Sequence, residues 1–287
     1  MLWHTSRFQI DLNRPRVMGI VNVTPDSFSD GGQHGSARAA IAHCERLVGE
    51  GADILDIGGE SSRPGAVNLS VEAEWARIAP VLAAATSFGV PVSVDSCKPE
   101  VMARALDAGV DIINDIHALQ AEGALQVVQA HPRAGVCLMH RRGTPATMGQ
   151  LTDYADVLGE VAAFLAQRAA VVRSAGVAAE RIVLDPGYGF AKTTEQNFTL
   201  LARQSELLAL GYPLLIGWSR KRAIGEVTGR AVDQRLAGSL AAALAAVARG
   251  ACIVRVHDVA ETVDALKVWL AASVTMNKNS TTTTGGT

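Results

Sequence analysis

Apolar residues in this chain collect into eight short runs, and each run ends in a side chain that can do chemistry. In order they are Val17–Asn22, Ala52–Glu60, Pro91–Ser96, Val110–Ile116, Ala134–His140, Arg181–Gly187, Pro213–Lys221 and Cys252–Asp258. Between most of them apolar residues recur at helical spacing. Parallel strands cannot be joined by a tight turn, so the alternation predicts a parallel sheet with helical crossovers. Eight such units in about 250 residues fit an α/β chain folded as one (β/α)8 barrel of the TIM type, whose functional groups gather at the strands' C-terminal ends. Asn22, Asp95, Asn114, His140, Asp185, Lys221, Arg255 and His257 then crowd one mouth.

The helical stretches are expected at 36–51, 70–87, 98–109, 122–131, 153–175, 194–210, 233–250 and 258–272. Ser36 and Ser70 are candidate N-caps, and Glu72 and Glu74 place acid in a first turn. Gly51, Gly109, Gly176, Gly211 and Gly250 each follow a helical run, where a left-handed closing residue belongs. This repeated punctuation favours one domain over 1–275. The TSRFQIDL alternation within residues 1–16 suits a short extended flap, a hairpin arm across the barrel's N-terminal end. Two connections after the first two strands, 22–35 and 58–69, are too long for bare turns and read as lids or binding loops. Residues 276–287 are polar and low in complexity, which predicts disorder.

Composition narrows the class. With 26 Lys and Arg against 28 Asp and Glu, no overall field draws nucleic acid or an acidic membrane, so anion binding must be local. The longest apolar stretch, Leu236–Ala248, is Ala-rich and too short to span a bilayer. Charged residues interrupt the N-terminus, which predicts no secretory signal and a cytoplasmic protein. Cys44, Cys97, Cys137 and Cys252 follow no metal or redox spacing and read as packing residues.

The strand ends divide by chemistry. Arg255 and His257 share one side of a pleat at the end of strand eight, where barrels commonly hold phosphate; a structural Arg paired with an acid is the alternative. Ser219-Arg220-Lys221-Arg222 runs straight into a helix whose first amides attract anions. Asp95, Asn114 and Asp185 ring an edge as hydrogen-bond acceptors suited to a flat heterocycle with several N–H donors. Asp56 and Asp115 are weaker candidates, Asp56 because it precedes its strand end. These groups alone do not separate pterin from purine or pyrimidine. Asn22 offers an amide oxygen to Mg2+, a hard ion that takes oxygen ligands. The second long loop supplies Ser61, Ser62, Arg63 and Pro64.

Together the strings GIVNVTPDSFSDGG, DIGGESSRPGA, VDSCKPEV, IINDI, CLMH, LDPGYGF, SRK and IVRVHD resemble the dihydropteroate synthases, folate-pathway enzymes of the pterin-binding barrel group. Eight segments in the family's order, over nearly the whole chain, make the resemblance specific. It implies joining the amine of p-aminobenzoate to the methylene of 6-hydroxymethyl-7,8-dihydropterin diphosphate, with release of diphosphate. By the same resemblance Asp95, Asn114, Asp185 and Lys221 hold the pterin, with Met139 on its face. Asn22, Ser62, Arg63, Arg255 and His257, with Mg2+ on Asn22, hold the diphosphate. Phe28, Pro64, Gly189, Phe190 and Ser219 receive p-aminobenzoate.

Asp95, Lys221, Arg255 and His257 then carry catalysis, in an SN1-like displacement that stabilises a cationic pterin at one end and the departing diphosphate at the other. The family also implies a homodimer, sulfonamides as inhibitors, and loops that order around diphosphate. Ser62 stands where the family often has Thr, Ala191 where it has Gly, Trp218 is bulkier than usual, and Arg141-Arg142 follow the MH pair. None of these removes a binding group. Two alternative readings share the barrel: a pterin methyltransferase and a non-catalytic pterin-binding paralogue. The VTPDSFSDGG and SRK segments weigh against the first, and the retained Asn22, Lys221, Arg255 and His257 against the second. His140 has no part in this division and reads as structural.

Overall fold

Eight parallel strands close into a barrel in chain order, the last pairing with the first. The structure is a computed structural model that describes residues 1–24, 32–60, 68–144 and 146–280, with backbone alone for 32–35 and 273–280. A two-stranded antiparallel hairpin, β1 (Leu2–His4) with β2 (Gln9–Asp11), comes first. The barrel strands are β3 (Arg16–Asn22), β4 (Ile54–Gly58), β5 (Val92–Asp95), β6 (Ile112–Asp115), β7 (Gly135–Met139), β8 (Ile182–Asp185), β9 (Leu214–Ile216) and β10 (Ala251–Val256). Each lies within one of the eight apolar runs or overlaps it closely.

Helices surround the barrel: α1 (Gly32–Gly49), α2 (Val71–Ala85), α3 (Pro99–Asp107), α4 (Ala124–Ala130), α5 (Val157–Ser174), α6 (Thr194–Ala202), α7 (Arg222–Thr228), α8 (Leu236–Val247) and α9 (Val259–Ser280). Ser70 caps α2 as expected, its hydroxyl accepting from the Ala73 amide. Ser36 does not cap α1; the helix starts at Gly32, so the chain before Ser36 is already helical and offers no extended entry. All five glycines expected to close helices have positive φ, between 77° and 99°. Two boundaries differ from the pattern. The apolar period over 194–210 conceals a break, since α6 stops at Ala202 and a 3₁₀ segment covers Gln204–Leu210. The backbone of α9 continues to Ser280, past the expected start of the polar tail at 276.

The hairpin does what its alternation predicts. Trp3, Ile10 and Leu12 bury against Met18, Ile54, Ile112, Cys137, Val183, Leu215 and Ile253, one residue from each of seven barrel strands. The Trp3 indole N–H donates to the Arg181 carbonyl at 2.9 Å. This apolar plug fills the lower barrel and fixes what stands above it.

Candidate active site

Side chains on a strand alternate between faces, so the residue two places beyond each plug residue also points inward. Counting on by two from Ile54, Ile112, Cys137, Val183 and Ile253 gives Asp56, Asn114, Met139, Asp185 and Arg255, and from Ser93 it gives Asp95. The strand register levels them: Asp95 lies beside Asn114 and Met139 beside Asp185. One further step gives His257 beyond β10 and Ile116 beyond β6. The plug is apolar, whereas five of the eight inward positions above it are polar, the others being Ile20, Met139 and Gly217.

Arg255 sits at the centre of this layer. Its Nε donates to Asp56 Oδ2 at 2.6 Å and its Nη2 to Asp95 Oδ2 at 2.7 Å. Asn114 Nδ2 donates to the same Asp56 oxygen at 3.1 Å. Asp56 is fully buried, and its Oδ1 has no hydrogen-bond partner among the described residues. Burial pushes the Asp95 carboxyl well above the usual carboxylate range, opposed by Arg255 and reinforced by Asp56. Burial also opposes the Arg255 charge, but Asp56 and Asp95 together more than offset it and hold the guanidinium charged. Asp56 thus ties the strand-eight cation into one network with Asn114 and Asp95.

Asp185 is buried beside them. Burial raises its carboxyl to about 6, while the Gly187 amide, donating at 2.7 Å, and Lys221 pull it down. The connection after β8 wraps this acid. Gly187 there has φ +71°, and a Cβ on it would lie 1.9 Å from the His140 carbonyl oxygen, so only glycine fits. Lys192 holds the connection from inside, donating to the Gly187 carbonyl (2.9 Å), the Phe190 carbonyl (3.1 Å) and His140 Nδ1 (3.0 Å). Burial lowers the Lys192 amine to about 7 and the His140 imidazole to about 2, so His140 is a neutral acceptor. Phe190 packs with Ile116, Met139, Met148 and Ala191 as an apolar wall, and Lys221 Nζ lies 4.3 Å from its ring centre.

At the other side of the mouth, the Ser219 hydroxyl accepts from the His257 amide at 3.2 Å and lies 3.0 Å from His257 Nδ1. A hydroxyl oxygen has two lone pairs, so Ser219 can donate to Nδ1 or accept from it, and the His257 tautomer follows that choice. Burial first, then Arg255 and Arg220, lowers His257 to about 3, so its imidazole is neutral. The basic string before α7 is less available than its sequence suggests. Arg220 pairs with Asp258, its amide donates to Ser239 Oγ at 2.9 Å, and the Lys221 amide donates to the Trp218 carbonyl at 3.1 Å. The Arg220 and Lys221 amides, just ahead of the helix, therefore already have partners.

Residues 18–257 match the family of pterin binding enzymes. A dihydropteroate synthase of Neisseria meningitidis serogroup C is 54% identical over 279 residues, covering 96% of this chain and 99% of that protein. This chain belongs to the dihydropteroate synthase family. Among solved structures, Xanthomonas albilineans dihydropteroate synthase with 4-aminobenzoic acid is 52% identical with a TM-score of 0.87, covering 92% of this chain and 95% of that one. The Yersinia pestis enzyme in a sulfonamide drug complex is 42% identical with a TM-score of 0.90, covering 96% and 100%.

Of the residues anticipated from sequence, Asp95, Asn114, Met139, Asp185, Gly189, Phe190, Ser219, Lys221, Arg255 and His257 surround the mouth, with Asn22 half-buried at the tip of β3. Phe28, Ser62, Arg63 and Pro64 lie outside the described residues. The root of the second long loop is held firmly, for Lys98 bridges Glu60 and buried Glu74 while Arg77 donates to the Gly59 carbonyl. Asp115 is used structurally, accepting from the His117 and Leu119 amides at 2.7 Å each. Burial raises the Cys97 thiol to about 11, away from the thiolate a nucleophile needs. Asp56 is more central than its place before the strand end suggests, and Lys192 is a buried group that no motif marks. Inward alternation from Ile54 points to Asp56.

Proposed function

We propose that this chain condenses p-aminobenzoate with 6-hydroxymethyl-7,8-dihydropterin diphosphate to give 7,8-dihydropteroate and diphosphate. The observation that carries the reading is one layer of Asp56, Asp95, Asn114, Asp185 and Arg255, with Asp56, Asn114 and Asp185 buried and the other two mostly enclosed, set on an apolar floor in a chain of this family. Asp95, Asn114 and Asp185 present acceptors to the ring's N–H groups. Met139, Ile116 and Phe190 give its faces an apolar wall. Lys221 lies at the rim beside Phe190.

The pterin methylene–oxygen bond breaks with its electron pair leaving on diphosphate, and the cation spreads over the ring. Carboxylates below and beside the ring stabilise that charge. The aniline lone pair then forms the C–N bond and its proton passes to solvent or diphosphate. The amine needs orientation and no strong base, which suits a site in which His257 is neutral. Among the described residues no three His, Cys, Asp or Glu side chains group to cage a metal. Asn22 nevertheless supplies a hard oxygen of the kind Mg2+ takes beside substrate phosphates. Bound there, Mg2+ would neutralise the leaving diphosphate. Ser219, Phe190 and Gly189, with Phe28 and Pro64, are the proposed p-aminobenzoate contacts, and Ser62 and Arg63 join Arg255 on the diphosphate. Sulfonamides compete at the p-aminobenzoate position.

A cytoplasmic homodimer is part of the same reading. No described helix is long and apolar enough to cross a membrane. The deciding experiment follows diphosphate release from dihydropterin diphosphate with and without p-aminobenzoate. Release that requires p-aminobenzoate is expected; binding without turnover would instead mark a non-catalytic pterin-binding paralogue.

A further inference from the structure

Asp56 is the one acid of the buried layer that the proposed chemistry leaves without a ligand. It has two donors on one oxygen: Asn114 Nδ2 at 3.1 Å and Arg255 Nε at 2.6 Å. Those donors belong to opposite ends of the proposed substrate. We propose that Asp56 is a positioning residue that links recognition of the pterin ring to binding of the diphosphate. The inference rests on the functional reading above.

Two consequences of the geometry carry it. With its Nδ2 committed to Asp56, the Asn114 amide is fixed with its oxygen directed elsewhere, as an acceptor for a ring N–H. Arg255 is held by two arms, Nε on Asp56 and Nη2 on Asp95. An arriving diphosphate draws the guanidinium off the more weakly enclosed Asp95, which is partly exposed, while the fully buried Asp56 keeps Nε as a pivot. Asp95 is thereby released to the ring. Asp56 Oδ1 is itself buried and unpartnered among the described residues. Coupling of this kind is reciprocal: diphosphate tightens the ring, and the ring tightens diphosphate by the same factor.

The test is titration calorimetry on the full chain with Mg2+, using 6-hydroxymethylpterin and inorganic diphosphate, each alone and with the other present. The unaltered chain is expected to bind each probe more tightly when the other is bound. Asp56→Asn should weaken the pterin probe on the order of 10- to 100-fold, as loss of a charged buried hydrogen bond does, and should abolish the mutual effect. A merely structural Asp56 would lower stability and leave the mutual effect in place. That result, or an unchanged pterin affinity, or no mutual effect in the unaltered chain, overturns the inference. Should Asp56→Asn not fold, a crystal structure of the unaltered chain with diphosphate decides. Arg255 must still hold Asp56 through Nε after leaving Asp95; detachment from Asp56 overturns it. Turnover is read separately, so a chain with linked binding and no diphosphate release would sink the functional reading alone.

Discussion

Asp185, proposed to bind the pterin ring, opposes the stability of its own fold when charged. Its buried carboxyl is raised to about 6, so between the ordinary aspartate range and that value the folded chain holds a proton that the unfolded chain has lost. Stability therefore falls as pH rises through this window, and above it the full cost of the buried charge is present. Asp185→Asn keeps an acceptor for the Gly187 amide and removes the charge. We expect the variant to be more stable by about 1–3 kcal/mol above pH 7 and equal to the parent below pH 4, checked by thermal melts across pH. The same change takes away an ionised acceptor, and calorimetry should show pterin affinity falling on the order of 10- to 100-fold. An unchanged affinity would remove Asp185 from the site. Ala191 illustrates a different residue-scale conflict, since it adopts φ +50°, a region that glycine enters without a Cβ clash. Its methyl is buried in the apolar wall, which offsets part of that strain.

At the scale of the element, the connection from β8 to α6 is the least autonomous part of the site. It contains Gly187 at φ +71°, Gly189 at φ +79° and Ala191 at φ +50°, and among its described bonds the Lys192 amine is shared by two of its carbonyls. Lys192→Met keeps the length of the chain and leaves both carbonyls short of a donor. The expected loss is about 2–4 kcal/mol, with a raised KM for the pterin substrate as Phe190 and the wall shift. Because burial holds the amine down at about 7, the folded chain binds fewer protons than the unfolded one between that value and the ordinary lysine range. Stability should rise with pH across that window in the parent, and this slope should be missing in the variant. Denaturant unfolding at several pH values tests both points. The contrast with the strands explains what sequence makes legible. Strand ends announce themselves because apolar runs stop at polar residues, and so the mouth and most of its groups could be read directly. Asp56 sits inside its run, where only the register of inward positions reveals it. Lys192 serves carbonyls that close on it through backbone turns, and no spacing in the chain encodes those.

For the whole molecule, the barrel separates stability from chemistry along its axis. The lower interior is a dry plug completed by the hairpin, and the polar layer stands directly on it. Above this apolar floor the carboxylates and the arginine are tolerated because they pair with one another, Arg255 with Asp56 and Asp95. Trp3 is the largest piece of that floor that does not come from the barrel itself. It is fully buried, and its indole N–H reaches the Arg181 carbonyl, whose guanidinium in turn ties down the Ala134, Val128 and His131 carbonyls. Trp3→Ala removes the indole and opens a cavity under the site without touching any residue of the mouth. The expected destabilisation is about 3–5 kcal/mol, as for other buried aromatic truncations. If the plug serves only as a support, kcat per folded molecule at low temperature should stay within about twofold of the parent, a rate change worth less than about 0.5 kcal/mol. If the polar layer instead depends on the plug for its spacing, kcat should fall well before the variant begins to melt. Steady-state rates taken alongside a thermal melt of the same sample separate these outcomes, and the first is the one the layered interior predicts.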